Sequence, residues 1–199
     1  LKQICNHPAL ALHETSIDDN FLQRSGKLER LENIIQEVIE AGDRAILFTQ
    51  FAEWGHLLKE YFESKWKFEV PFLYGGSTKN DRQNMIDRFQ EDPRGPQIFL
   101  LSLKAGGIGL NLTRANHVFH IDRWWNPAVE NQATDRAYRI GQKSRVMVHK
   151  FITSGSVEEK IDKMISEKSN LAENIIGSGE DWLGKLDINK VKKLVELND

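Results

Sequence analysis

One short stretch, "QIFLLSL", constrains the fold of this chain more than any other feature. It is almost continuously apolar, which is typical of a strand that other elements cover on both faces. Further apolar runs such as "RAILFTQF" and "HVFHID" lie on either side of it, and amphipathic helical patterns separate them. Strands that alternate with helices in this way indicate a mainly parallel sheet with helices on both faces. We therefore expect an α/β fold.

Hydrophobic periodicity and capping residues place the helices. Apolar residues at helical spacing predict a helix over roughly 27–41, which Gly42 ends. Ser156 and Glu159 predict a capping box at the start of a long helix that reaches about Ile176.

Three further residues refine the boundaries of predicted elements. Pro71 in "FEVPFLYG" limits that strand to a sheet edge or an irregular start, because proline cannot donate to a strand ladder. Asn126 suits the N-cap of a later helix, and Pro127 suits its first position.

Composition bounds the class of protein. The chain has 199 residues and a net charge of −2 at pH 7, which suit one domain with a proper core and give no overall sign of nucleic-acid binding. Residues 104–150 nevertheless hold eight Lys or Arg against three Asp or Glu. Cys5 is the sole cysteine, which excludes a disulfide framework, and with His7 it makes a poor metal site. No apolar run reaches membrane-spanning length, and the start of the sequence does not resemble a signal peptide. We expect an intracellular fragment of a longer protein.

Nearly every unusual stretch of the sequence comes just after a predicted strand. These stretches are "TQF", "YGGST", "SLKAGG" and "DRWWNP". Parallel sheets bind their ligands at the carboxyl ends of the strands. We therefore expect one edge of the sheet to carry the functional site.

The glycine-rich stretch "SLKAGGIGLN" suits phosphate. Its three glycines let the backbone approach a partner closely and present several N–H groups together. The phosphate-loop signature G-x-x-x-x-G-K-[ST] does not occur in the chain, and no acidic stretch after a strand offers to hold Mg²⁺. A purely structural role for the glycines stays open beside phosphate binding.

The stretch "YGGST" carries a similar ambiguity. Ser77 and Thr78 stand at the predicted N-terminus of a helix, which is a favourable place for an anion and for a DNA phosphate. Ordinary N-capping explains the same residues equally well. Tryptophans more often pack in a protein core than stack on nucleic-acid bases, so packing is the favoured role for Trp124 and Trp125.

The stretch "QATDRAYRIGQ" sets two arginines three residues apart. On a helix, Gln132, Arg136 and Arg139 would share one stripe beside a small apolar stripe that would be buried. The arginines would then stand at the edge of a packed helix. The alternative is a solvated basic edge that pairs with Asp135 or Glu130.

Taken in chain order, these loops resemble a known family. "ILFTQF", "YGGST", "LLSLKAGGIGLNLTRA" and "WWNPAVENQATDRAYRIGQ" resemble the second RecA-like lobe of the Swi/Snf family, the double-stranded-DNA translocases and chromatin remodellers of helicase superfamily two. The opening "LKQICNHP" is similar to the family segment just upstream of that lobe, and the resemblance covers about residues 1–180. Arg123 and the tail "GEDWLGKLDINKVKKLVEL" resemble bacterial and archaeal members.

The resemblance implies an ATP site between two lobes. The first lobe would supply the phosphate loop and the acidic Mg²⁺ site, and the second lobe would supply arginine fingers. Arg136 and Arg139 match the finger positions and are the expected catalytic residues. The residues expected to contact the nucleotide are Gly107, Gly109, Asn111, Gln132, Arg136 and Arg139.

The resemblance also implies contacts with the phosphates of double-stranded DNA, many of them through backbone N–H groups. The residues that match these positions are Thr49, Gln50, Gly75, Gly76, Ser77, Thr78, Ser102, Leu103 and Lys104. Relatives often have threonine where this chain has Leu103, so we do not expect a hydroxyl contact there.

Three parts are therefore expected. Residues 1–26 would connect to the upstream lobe, residues 27–176 would form the RecA-like lobe, and residues 177–199 would form a flexible joint and a C-terminal helix. The expected partners are double-stranded DNA and the N-terminal lobe of the same protein, with no membrane partner. Without the triphosphate cradle, this lobe alone should not hydrolyse ATP. The expected location is the cytoplasm or nucleoid of a prokaryote, or the nucleus of a eukaryote.

Two alternatives stay open. The chain could be a nucleic-acid- or protein-binding module that derives from a helicase lobe and has lost catalysis. It could also be an unrelated doubly wound enzyme that uses the glycine loop for a dinucleotide. No acidic residue follows a G-x-G-x-x-G stretch at the spacing that the second alternative needs.

Overall fold

The structure is a computed structural model that describes residues 1–103, 110–139, 141–142 and 144–169. Its strands are β1 Ala45–Thr49, β2 Phe72–Leu73, β3 Ile98–Ser102, β4 His117–His120 and β5 Met147–Lys150. They form one sheet in the order β2–β3–β1–β4–β5, and every pairing is parallel. The expected α/β class is confirmed.

Helices connect the strands. They are α1 Lys2–Asn6, α2 Pro8–Ala11, α3 Gly26–Glu40, α4 Ala52–Trp66, α5 Lys79–Glu91, α6 Pro127–Thr134 and α7 Val157–Ser169. Helix α3 agrees with the predicted span to within one residue at each end. Gly42 closes it at a φ of 73°. The N–H groups of Gly42 and Asp43 donate to the carbonyls of Ile39 and Val38, which is the Schellman arrangement that glycine favours.

Helix α7 begins where the capping residues placed it. The Ser156 hydroxyl accepts from the N–H of Glu158 at 3.1 Å, and the Glu159 carboxylate accepts from the N–H of Gly155 at 2.7 Å. In a standard capping box the donors would be the N–H groups of Ser156 and Glu159. Here each donor lies one residue earlier, and both of these N–H groups at the start of the helix have a partner. The predicted end near Ile176 lies outside the described residues.

The prolines act as expected. Strand β2 begins directly after Pro71 and lies at one edge of the sheet. Asn126 caps α6 by accepting from the N–H of Ala128 at 3.0 Å, and Pro127 occupies the first helical position.

Both faces of the central strands β3, β1 and β4 are buried, as "QIFLLSL" predicted, whereas the edge strand β5 is largely exposed. Side chains alternate along β1, so that Ala45 and Leu47 belong to a first core cluster and Ile46 and Phe48 to a second. Helices α3 and α4 complete the first cluster, and α5 and α6 contribute to the second. Each fully buried large aliphatic or aromatic side chain contributes about 1.5–3 kcal/mol, so these clusters hold the fold together.

The first 25 residues pack into the first core cluster. Leu10 and Phe21 are fully buried there, and the His7 ring stacks on Phe21 at 4.2 Å. The Nδ1 of His7 accepts from the N–H of Ala9, so its Nε2 donates to the carbonyl of Phe21. Burial lowers the pKa of His7. The segment is therefore physically part of the lobe, while the domain boundaries at 26, 27 and 176 stay predictions.

Three central strands end side by side. Thr49 at the end of β1 pairs in register with Ser102 at the end of β3, and Phe48 of β1 pairs with His120 at the end of β4. The loops that follow these strands therefore meet at the carboxyl edge, where the site was expected. No helix in the described part of the chain has the length and apolar character needed to cross a membrane. The predicted joint and tail, residues 177–199, lie outside that part.

Candidate functional site at the carboxyl edge of the sheet

Helix α6 ends at Thr134, before either arginine of the motif is reached. The prediction that Gln132, Arg136 and Arg139 share one helical stripe is therefore wrong. Gln132 is exposed on α6, whereas Arg136 and Arg139 lie in turns that follow the helix. Arg136 is only 4% exposed, while Arg139 is exposed, so the two guanidinium groups occupy different environments.

After Thr134, groups outside the helix bond to the next carbonyls of the chain. In a continued helix, the carbonyls of Arg136 and Ala137 would accept from N–H groups four residues later. Here the N–H of Leu112 donates to the carbonyl of Arg136 at 2.9 Å. The side-chain amide of Gln142 donates to the carbonyl of Ala137 at 3.2 Å. The periodicity of the sequence could not show these partners, and Gln142 had no predicted role.

The bond between Leu112 and Arg136 joins the residues that follow the glycine-rich stretch of the sequence to the arginine turn. Asn111 precedes Leu112 and is exposed. Two residues predicted to contact the nucleotide, Asn111 and Arg136, are therefore brought together along paired backbone. The predicted site residues Lys104, Gly107 and Gly109 lie outside the described residues.

The charges around Arg136 favour an anion. Burial lowers the pKa of the Arg136 guanidinium, the nearby Arg139 lowers it further, and Asp135 raises it. An anion placed against both arginines would offset the cost of burying one positive charge beside another.

Glu130 was the other counter-charge considered for these arginines, and it is fully buried. Its carboxylate lies 3.1 Å from the guanidinium of Arg123 and 3.3 Å from the ammonium of Lys150, and it accepts from the N–H of Trp124 at 3.0 Å. Arg123 also pairs with Asp162 of α7 at 2.9 Å. These contacts fix α6 to the loop before it and to α7.

Asp122 organises the loop that follows β1, a role that no sequence motif indicated. The Thr49 hydroxyl donates to Asp122 at 2.6 Å, and so does the side-chain amide of Gln50. Thr49 is fully buried, so its side chain faces Asp122 inside the lobe, and Gln50 is half-buried. The sequence did contain one indication of this role. Asp122 is a carboxylate that comes shortly after an apolar strand, so it was bound to lie at the same sheet edge as "TQF".

The "YGGST" loop is a tight turn followed by a capped helix. The N–H of Ser77 donates to the carbonyl of Tyr74 at 3.0 Å, and the Ser77 hydroxyl accepts from the N–H of Tyr74 at 3.1 Å. Thr78 caps α5 by accepting from the N–H of Asp81 at 3.2 Å. The exposed residues of this loop are Gly75, Gly76 and Thr78. N-capping is thus present, and the turn stays accessible to a partner.

The residues that end β3 are covered. Ser102 and Leu103 are buried, and the Leu103 side chain packs in the second core cluster. Trp124 packs against the same cluster, in line with the packing alternative. The predicted DNA contact of Leu103 is therefore restricted to its backbone.

Lys2 of α1 contacts both the loop after β1 and the loop before α6. Its ammonium donates to the carbonyl of Arg123 at 2.7 Å and to the Gln50 side chain at 3.3 Å, and it lies 4.5 Å from the centre of the Trp125 ring. Burial lowers the pKa of Lys2 to about 8, while the carboxylate of Asp122 opposes that shift. The first helix is thereby tied to the loop that precedes α6.

A family comparison identifies this arrangement. The family model of the helicase conserved C-terminal domain matches residues 26–141. The chain belongs to this family. YwqA of Bacillus subtilis, whose name describes an ATP-dependent helicase/translocase, is 46% identical over 198 residues, which are 100% of this chain and 21% of YwqA. The chain thus spans about a fifth of that relative.

Two solved structures extend the comparison. The C-terminal domain of the Sulfolobus solfataricus SWI2/SNF2 ATPase is 42% identical with a TM-score of 0.79, over 100% of this chain and 79% of that one. The core of that ATPase in complex with dsDNA is 43% identical with a TM-score of 0.82, over 100% of this chain and 41% of that one. The resemblance to the Swi/Snf family and the RecA-like fold are confirmed.

Proposed function

We propose that the chain is the C-terminal motor lobe of an ATP-dependent double-stranded DNA translocase. The observation that carries the proposal is the hydrogen bond from Leu112 to Arg136, at the carboxyl edge of a helicase C-terminal domain. It joins a glycine-rich loop suited to phosphate to a turn that holds two arginines. Such a junction is what the second half of a composite ATP site requires.

The chain's own residues would form one wall of that ATP site. When bound, ATP supplies the transferable γ-phosphoryl group, and Mg²⁺ would be held mainly by the N-terminal RecA-like lobe of the same protein. Arg136 and Arg139 would stabilise negative charge at the interface between the lobes. The remaining nucleotide contacts would come from Gly107, Gly109, Asn111 and Gln132. Because Arg136 is buried and anchored through its carbonyl, its guanidinium would need little reorganisation.

The exposed loops of the same edge would bind the DNA backbone. Gly75, Gly76 and Thr78 present an accessible turn at the N-terminus of α5, and Ser77 is half-buried beside them. Thr49 and Ser102 are buried, so their side chains would position the loops and would not touch DNA. The contacts with DNA phosphates would come from the neighbouring backbone and from Gln50 and Lys104. Backbone donors explain how a chain of net charge −2 would bind phosphate. Chromosomal DNA as the substrate would place the protein in a nucleoid or a nucleus.

Substitution of the arginines in the full-length protein tests the proposal. Arg136→Ala and Arg139→Ala should each lower DNA-stimulated ATP turnover by about 10³–10⁵-fold, the usual range for an arginine finger. ATP and DNA affinities should fall far less, because the other lobe would cradle the nucleotide and other loops would hold DNA. The matched control is Arg94→Ala, since Arg94 is exposed and lines a cavity beside Gly42 at the opposite end of the sheet.

Near-normal turnover in both arginine variants would refute the assignment of fingers and leave a solvated basic edge. Full-length protein that binds duplex DNA but never hydrolyses ATP would favour the non-catalytic module instead.

A further inference from the structure

The carboxylate of Asp122 lies where two loops of the site meet. Asp122 is 1% exposed and comes shortly after β4. From the loop after β1 it accepts the Thr49 hydroxyl at 2.6 Å, the backbone N–H of Gln50 at 3.1 Å and the side-chain amide of Gln50 at 2.6 Å. Asn6 of α1 donates a further bond at 3.2 Å. One buried carboxylate thus collects donors from two distant segments.

The directions of these bonds are fixed by their neighbours. The oxygen of the Thr49 hydroxyl also accepts from the N–H of Phe51 at 3.2 Å, so its proton points at Asp122. The two nitrogen groups of Gln50 act only as donors. Burial raises the pKa of Asp122, and the bonds from Thr49 and Gln50 lower it. Several donors from two segments hold the two oxygens of this buried carboxylate, so the junction is stiff.

The next residue continues the connection towards the arginine turn. The carbonyl of Arg123 accepts from the side-chain amide of Gln50 at 2.8 Å and from Lys2 at 2.7 Å. The guanidinium of Arg123 pairs with Glu130 of α6 at 3.1 Å. Helix α6 leads directly into the turn of Arg136. Continuous contacts therefore link the loop after β1 to the arginine turn.

We propose that Asp122 is a positioning residue that couples DNA contact at the loop after β1 to the placement of Arg136. This inference rests on the proposed function and adds how the two binding sites of the lobe communicate. DNA that shifts the loop after β1 moves the donors of Asp122. The carboxylate transmits that shift to the loop before α6, because its bonds are buried and directional.

Asp122→Asn in the full-length protein tests the coupling, since it keeps the size of the side chain but removes its charge and one acceptor. Turnover at saturating duplex DNA should fall by about 5–150-fold, the usual range of coupling between two sites. Turnover without DNA should fall far less, because the arginines stay in the site. Coupling between binding equilibria is reciprocal. The change in DNA affinity caused by a non-hydrolysable ATP analogue should therefore shrink as well, which a purely structural residue would not produce.

Thr49→Val is the second variant if Asp122→Asn fails to fold, since it deletes one donor at nearly constant size. It should weaken the same stimulation to a smaller degree. Asp43→Asn is the matched control, because this carboxylate lies at the amino edge beside His117 and should leave stimulation unchanged. Equal losses with and without DNA, or full stimulation in both variants, would overturn the inference. A wild-type protein that DNA does not stimulate would refute the proposed function itself.

Discussion

The ammonium of Lys27 lies 2.6 Å from the carboxylate of Glu158, and both side chains are almost completely buried. Lys27 also donates to the Asn6 side chain at 2.9 Å and to the carbonyl of Ile121 at 3.1 Å. This buried ion pair joins the first turn of α3 to the first turn of α7 and to α1. Its partners come from opposite ends of the described chain, so both ends depend on it.

Breaking this pair on one side should destabilise the lobe strongly. We expect Lys27→Met to lower the free energy of unfolding by about 3–5 kcal/mol, because it leaves the Glu158 charge buried without its partner. The exposed pair of Arg88 and Glu69 is the control, and Arg88→Met should cost at most about 1 kcal/mol. Urea unfolding of both variants measures the difference, and equal losses would contradict the prediction.

The fold was largely predictable from the sequence, because its signals are local. The helix before Gly42, the edge strand after Pro71 and the cap at Asn126 each depend on neighbouring residues, and all three are confirmed. The arginine turn was not predictable, because Leu112, 24 residues earlier in the chain, takes the place of a helical partner of Arg136. The outcome follows from tertiary contacts that override periodicity.

The site was only partly predictable for a similar reason. The motifs identified the loops of the carboxyl edge, but they gave no sign that Thr49 would be buried against Asp122. Nor could they show that Lys2 and Asn6, far away in sequence, would reach the same junction. Spacing along the chain identifies candidate residues, whereas the partners of a buried polar group depend on the complete fold.

Acid should destabilise the lobe through His120. Burial, with help from Lys150 and Arg123, lowers its pKa from 6.5 to about 3. Its Nε2 bonds to the Thr134 hydroxyl at 2.9 Å, and its Nδ1 is buried without a hydrogen bond to any other described residue. Below pH 6.5 the unfolded chain takes up a proton that the folded chain does not. The free energy of unfolding therefore falls as pH drops from 6.5 towards 3, by about 1.4 kcal/mol per pH unit.

Unfolding measured at several pH values in wild type and His120→Gln isolates that contribution. The variant should lose stability less steeply below pH 6.5, while other groups act equally in both proteins. Parallel curves for the two proteins would show that His120 is not the responsible group.

The lobe alone should fold but not hydrolyse ATP. Its sequence holds no phosphate-loop signature, and the triphosphate cradle is expected on another lobe. Steady-state hydrolysis by residues 1–199 at saturating duplex DNA measures this, with thermal unfolding as the control for folding. Turnover that rises with added DNA would contradict the two-lobe site.

The two ends of the chain should differ in their importance for stability. Deleting residues 178–199 should shift Tm only slightly, because the two core clusters of the described residues form without them. Deleting residues 1–25 should abolish cooperative unfolding, since it removes Leu10 and Phe21 from the first cluster. Calorimetry of both truncated chains tests the contrast. Loss of the transition in the first would show that the tail belongs to the core.

The position of β1 has a consequence for synthesis on the ribosome. Both neighbours of this central strand, β3 and β4, come later in the chain. The ladder that pairs Ala45 with Ile98 must therefore wait until Ile98 has left the exit tunnel, and the ladder with His117 must wait longer still. Until then, the apolar faces of α3 and α4 lack the sheet that covers them in the native lobe. Nascent chains of intermediate length would accordingly be the forms most dependent on chaperones.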